Sequence, residues 1–248
     1  MTGTTRPHPF HPRDLVGGHP VIDLLNTVTA RNAADPVDWL DAYPRLLEWA
    51  ALTGHFTPVD LTALRRLAAS DTAPETESAP GTETSAPETA PETESAPGTD
   101  SESGPARAAR ALARVRELRE ALHDLIAALA HGAPAPADAV ARVEDHWKDA
   151  VAHAGLVVDG ATPRLRTTVE ASGLDLLRHE LALQALDLLR ALPADRTRVC
   201  PGRRCGWLFL DTSRAGRRRW CSMATCGNAA KGRTHYERRR AGEGHGAP

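Results

Sequence analysis

The chain has 248 residues, enough for one large domain or two smaller ones, and 41% of them are hydrophobic. Aromatics are only 4%, so Leu and Ala packing between helices is the expected core. The net charge of -2 rules out a uniformly basic or acidic chain. It hides a strong asymmetry, however: thirteen cations face two acids over residues 196–240, a net of +11, while residues 71–103 hold nine acids and no base.

In chain order, MTGTTRPHPFHPRDLVGG lacks the apolar stretch of a signal peptide, and no run of 18 apolar residues follows. A cytoplasmic protein without a membrane span is expected. Residues 21–27 form a compact apolar segment carrying Asp23 and Asn26. These two residues either line a ligand pocket or serve as helix-cap and turn residues. Asp35-Pro36 has the pattern of a cap with Pro at the first helical position. Trp39, Leu40, Leu46, Leu47 and Trp49 then predict short helices up to Gly54. Thr57 and Asp60 are placed for a capping-box exchange, opening a helix that ends near Ser70.

Residues 71–104 contain APETESAPGT twice, at 73–82 and 90–99, with no large apolar residue. Such a segment buries too little surface to offset its ordering entropy and is predicted to be a disordered acidic linker. Leu112, Val115, Leu118, Leu122, Leu125, Ile126 and Leu129 recur at helical steps until Gly132 and Pro134. A further helix is predicted over 136–153. Residues 156–160 and 164–170 read as a hairpin turning near Asp159-Gly160. Leu174, Leu177, Leu181, Leu188 and Leu192 mark another helix. Neither flank of the linker has enough core alone, so 10–70 and 105–193 are predicted to form one helical domain with a small β-hairpin.

The four cysteines all lie near the C-terminus, as Cys200-x4-Cys205-x15-Cys221-x4-Cys226. Two close pairs in a reducing compartment point to metal ligands over disulfides. Four thiolates close a tetrahedral shell, so one structural Zn2+ is expected. Residues 200–206 read as a zinc knuckle. Residues 207–210 and 217–220 read as the arms of a hairpin turning over 211–216, and the second pair opens a helix to about Arg240. Knuckle, hairpin and helix is the order of a treble-clef finger, here over 196–240, with 241–248 as a disordered tail. A module this small depends on its metal to fold. Substituting Cys200 or Cys226 is therefore expected to unfold the finger and leave the helical domain intact. Trp207 and Trp220 are assigned to its core.

Arg214, Arg217, Arg218 and Arg219 cluster before the second pair, and Asn228, Lys231, Arg233, Arg238, Arg239 and Arg240 follow it. This density favours phosphate binding, with DNA the expected partner. A zinc-stabilised protein-interaction module without DNA contact is the alternative. The closed zinc shell, and the lack of a P-loop, dinucleotide loop or nucleophile elbow, give no constellation for an enzyme.

CGWLFLDTSRAGRRRWCSMATCGN closely resembles the CGNR zinc-finger family of bacterial proteins. GGHPVIDLLNT at 17–27, with Asp23, Asn26 and Thr27, and the Leu-rich segment at 174–192 resemble the ABATE domain that accompanies this finger. The resemblance implies a stress-responsive transcription regulator with Cys200, Cys205, Cys221 and Cys226 as ligands. It also implies a DNA-binding finger. The helical domain is then expected to sense a signal or form a homodimer; no small-molecule effector is identified. The family motif ends Cys-Gly-Asn-Arg, whereas this chain has Cys226-Gly227-Asn228-Ala229. Lys231 or Arg233 is the expected substitute for the missing arginine.

Overall fold

The computed structural model describes residues 9–70, 102–160 and 162–243. The chain is mainly helical with small antiparallel hairpins. Helix α1 (Pro20–Leu25) starts on Pro20, with the His19 imidazole accepting from the Val21 N–H, and buries all but Asp23. Strands β1 (Val28–Thr29) and β2 (Val37–Asp38) then pair, Val28 opposite Asp38. The helix predicted to open at Asp35-Pro36 is thus replaced by a strand. Long-range partners decide this: the Trp39 N–H donates to the Thr27 carbonyl, and Arg119 takes the Asp38 carboxylate at 2.7 and 2.8 Å.

Helix α2 (Tyr43–Thr53) stops at Gly54, whose φ of 70° is left-handed. Helix α3 (Pro58–Ala69) is capped by Thr57, whose Oγ1 accepts from the Asp60 N–H at 3.1 Å. Helix α4 (Gly104–Ala130) buries Leu112, Val115, Leu118, Leu122, Leu125 and Ile126 along one face, as its periodicity predicts. Helix α5 (Ala137–Ala152) packs against α4 and against α7 (Leu176–Ala191). Between them come β3 (Ala154–Asp159), β4 (Thr162–Thr167) and the short α6 (Val169–Ser172). The last of these takes Val169 and Glu170 out of the predicted strand. Helix α7 (Leu176–Ala191) completes one shared core in which Val21 and Trp49 join Leu122 and Leu181.

Residues 71–101, most of the predicted linker, lie outside the described residues, as do 244–248 of the predicted tail. The ends of that gap meet. Arg107 donates to both the Glu102 and Ser70 carbonyls, and a Cβ on Gly104 would lie 2.2 Å from the Ser70 carbonyl oxygen. The chain leaves and re-enters the core at one point. Among the described residues no helix is long and apolar enough to cross a membrane.

The C-terminal part departs from the predicted hairpin. Strand β6 (Leu208–Leu210) pairs with β5 (Thr197–Val199), Thr197 opposite Leu210, and the knuckle becomes the loop between them. Residues 217–220 form no strand. They are fixed by side chains instead, the Asp211 carboxylate accepting from the Arg218 N–H at 2.8 Å. A wide π-helical turn over Met223–Gly227 leads into α8 (Asn228–Glu243), which runs three residues past the predicted end at Arg240, into the predicted tail.

Candidate metal centre and basic surface

The four cysteine sulfurs lie within 4.8 Å of one another. Cys205 and Cys221 are 3.6 Å apart, and Cys221 and Cys226 3.7 Å. A disulfide needs about 2 Å. A tetrahedral Zn–S shell with bonds of about 2.3 Å places its sulfurs about 3.8 Å apart. The spacing is therefore that of a cation cage, and with the four-thiolate donor set it forms the site of one structural zinc.

Local backbone builds this cage. A Cβ on Gly202 would sit 2.8 Å from Cys226 Sγ, so only glycine lets the knuckle close on that sulfur. The Gly227 N–H reaches back to the Ser222 carbonyl at 3.0 Å, the wide turn that carries Cys226. The Cys221 N–H donates to Cys200 Sγ at 3.4 Å. Hydrogen bonds from the neighbouring thiols, first Cys205 and then Cys221, pull Cys200 down to about 2 as the thiolate. That thiolate in turn pushes Cys205 and Cys221 up. A bound dication is what allows all four to lose their protons.

The helical part grips this cage from one side. Asn32 Nδ2 donates to the Gly202 carbonyl at 2.6 Å, and its Oδ1 accepts from the Cys205 N–H at 2.9 Å. The Arg31 N–H donates to the Cys205 carbonyl, and Trp207 Nε1 to the Val28 carbonyl, each at 3.0 Å. Arg204 and Asp35 form a bidentate pair at 2.8 Å. Behind the grip, Arg31 pairs with Glu120, and the buried Arg119 joins Glu120, Asp38 and Thr27. Apart from the neighbours Arg119 and Glu120, spacing in the sequence carries no trace of these partners, because they lie far apart in the chain.

Asp23 and Asn26 belong to the same junction. Asn26 Oδ1 accepts from the Leu208 N–H at 2.9 Å and its Nδ2 donates to the Leu208 carbonyl at 2.8 Å. Asp23 Oδ1 accepts from the Gly17 N–H at 2.8 Å, and the Gly17 carbonyl in turn accepts from the Leu210 N–H. The space lined by Asp23, Asn26, Thr27 and Trp49 is about 10 Å³, room for one water.

Burial pushes Asp23 up to about 6 against the opposing pull of the Gly17 N–H. Between about pH 4 and 6 the folded chain therefore keeps a proton that the unfolded chain has shed, so stability falls as pH rises through this window. Asp23→Asn keeps an acceptor for Gly17 and removes the buried charge. It is expected to raise stability at neutral pH, by at most about 3 kcal/mol for two pKa units. Urea unfolding of both proteins across this range checks it: parallel pH profiles refute a buried Asp23 charge.

The basic residues divide into two groups. Arg214, Arg217 and Arg219 are exposed. Arg218 is half-buried, stacks 4.4 Å from the Phe209 ring centroid, and donates to the Val16 and Trp220 carbonyls at 3.1 Å as well as to that of Cys221. Its guanidinium is a clip between the finger and the N-terminal segment. On α8, every residue from Lys231 to Arg240 is exposed, and Asn228 Nδ2 donates to the Ala224 carbonyl at 3.5 Å. Arg219 faces this helix across a concavity of about 600 Å³, lined also by Lys231, Arg233, His235 and Arg238 and by no acid. Trp207 and Trp220 pack with the cysteine cluster.

A second convergence, unmarked by sequence spacing, joins Asp149, His153 and His179. A cation already sits there: the Arg178 guanidinium donates to His179 Nε2 at 2.7 Å, to His146 Nδ1 at 3.2 Å and to Asp149 at 2.5 Å. Burial, with Arg178 beside them, holds His146 and His179 below the usual imidazole range.

Comparison with known families matches two consecutive stretches of the chain. The model of the CGNR zinc finger matches residues 196–239. The ABATE model, described as "Putative stress-induced transcription regulator", matches residues 18–192. Neither is an enzyme family. No curated protein matches the chain.

Proposed function

The chain belongs to the ABATE family, with a CGNR zinc finger following the ABATE region, and from that premise we propose that it is a cytoplasmic transcription regulator whose finger binds duplex DNA. One observation carries this reading. Helix α8 is polar on every side and exposed from Lys231 to Arg240, with five cations against Glu237. A helix that buries no apolar stripe gains little from the fold. An anionic groove supplies what the protein does not, and the major groove admits a helix of this width.

Arg219, across the concavity, extends this positive surface, and Arg214 and Arg217, exposed on the preceding loop, are the proposed contacts to flanking phosphates. Ala229 leaves α8 without an arginine at its start, and Lys231 and Arg233 supply charge within the next turn. Arg218 is excluded from this surface, because its donors are held by carbonyls.

Fluorescence anisotropy with a mixed-sequence duplex at rising salt tests the proposal. Replacing Lys231, Arg233 and Arg238 together by Ala is expected to reduce the log–log salt slope by about 3, near one unit per lost phosphate contact. If the zinc-loaded chain retains no duplex at low salt, the DNA reading is wrong, and the finger is a protein-interaction module. Preference for single-stranded RNA in competition would reject duplex DNA as the partner.

A further inference from the structure

Strands β3 and β4 form a ladder of six residue pairs. Opposite residues share a face, so Ala154, Leu156 and Val158 stand together with Thr167, Leu165 and Pro163. At its base this face meets the helices: Ala154 packs on the core, and Thr167 is buried, its N–H and Oγ1 donating to Glu180 of α7 at 2.7 and 2.8 Å. Beyond that rung the same face runs out past the helical body. Leu156 is 69% exposed, Val158 65% and Leu165 41%. Exposed apolar residues scattered singly are ordinary; three on one face of one hairpin mark an interaction surface.

The two edges of the hairpin differ. Strand β4 carries Pro163, which lacks an N–H, together with Arg164 and Arg166. These are the devices by which sheets prevent a stray strand from pairing. Strand β3 has no charged side chain from Ala154 to Val158 and no proline. Apart from the ladder with β4, Leu156, Val157 and Val158 make no backbone hydrogen bond among the described residues. One edge is protected and the other is open.

We propose that β3 pairs antiparallel with β3 of a second copy of this chain, making a four-stranded sheet about a two-fold axis. Self-pairing suits this edge in particular, since a strand without charge meets its copy without repulsion, whereas β4 would set arginines against arginines. Antiparallel pairing also carries each overhanging tip toward the base of the partner's hairpin, where helices lie. Leu156 and Val158 thereby gain cover that their own chain does not provide. Such isologous contacts are the commonest in homodimers. The hairpin offers less than the roughly 800 Å² per partner of a standard interface, so micromolar association is expected. A dimer sets two fingers on one particle, but the pairing does not depend on nucleic acid and is tested without it.

Sedimentation equilibrium of the full zinc-loaded chain up to about 200 µM should show a monomer–dimer equilibrium with a micromolar Kd. Leu156→Lys, at an exposed position in the middle of β3 and so beside the two-fold axis, is expected to weaken dimerisation at least about tenfold by placing like charges near each other. Leu156→Glu should do the same. Mixing the two variants should restore a heterodimer. A chain that stays monomeric over the whole range overturns the proposal. So does a dimer that Leu156→Lys leaves intact, or a mixture of the two variants that fails to associate.

Discussion

Removing zinc is expected to unfold the finger and, with it, the helical segment that grips it. Four thiols this close cannot all ionise without a cation, since Cys200 as thiolate raises Cys205 and Cys221. The bound metal supplies on the order of 10 kcal/mol to a finger of this kind, comparable to the stability of a whole domain. The sequence alone predicts that the damage stops at the finger. The bonds from Gly17, Asn26, Val28, Arg31 and Asn32 to residues 202–210 predict otherwise. In hydrogen exchange, the zinc-free chain or Cys200→Ser should lose protection over 197–227 and also over 17–35. Helices α4, α5 and α7, packed on one another, should keep theirs. Unchanged protection over 26–35 would falsify the coupling. Acidification should act in the same direction, because each ligand must release its proton to hold the metal, so affinity falls as pH falls.

What could be read in the sequence follows the range of the interactions involved. Cysteine spacing and the heptad-like recurrence of Leu112, Val115, Leu118 and Leu122 are local, and both correspond to observed structure. The arms of the finger hairpin are not local in this sense. Residues 217–220 look as strand-like as 197–199, but Asp211, 1% exposed, accepts from the Ser213 and Arg218 N–H groups, and the Arg218 guanidinium is held by the Val16 and Trp220 carbonyls, so they stay out of the ladder. Charge misleads in the same way. Arg218 reads as surface and is a clip. Arg119 lies on a helix that reads amphipathic, yet it is 3% exposed because Asp38, 81 positions away, neutralises it. Asp23, Asn26 and Thr27 carried the family resemblance without showing their purpose. In the structure the three hold Gly17, Leu208 and Arg119, so the motif lies at the joint between helical region and finger.

That joint concentrates its cost in Asn26. Strand β6 has β5 on one side, and on the other the Asn26 amide mimics a neighbouring peptide, accepting from the N–H and donating to the carbonyl of Leu208. Asn26 is 3% exposed and Leu208 fully buried, so water cannot replace either bond. Asn26→Ala leaves two buried backbone groups unpaired, at about 1–3 kcal/mol each. A loss of roughly 4 kcal/mol is expected, a large share of a typical domain's 5–15. Asn26→Asp is not a rescue, since a carboxylate accepts from the Leu208 N–H but sets an oxygen against its carbonyl. Both variants should release zinc to a competing chelator more readily than the parent, because the strand leading from the knuckle is no longer held. Asn32 shows the contrast: it makes two comparable bonds from an exposed position, where water substitutes, so Asn32→Ala should cost less than Asn26→Ala. Equal losses from the two substitutions would mean that burial at the joint is not what makes Asn26 costly.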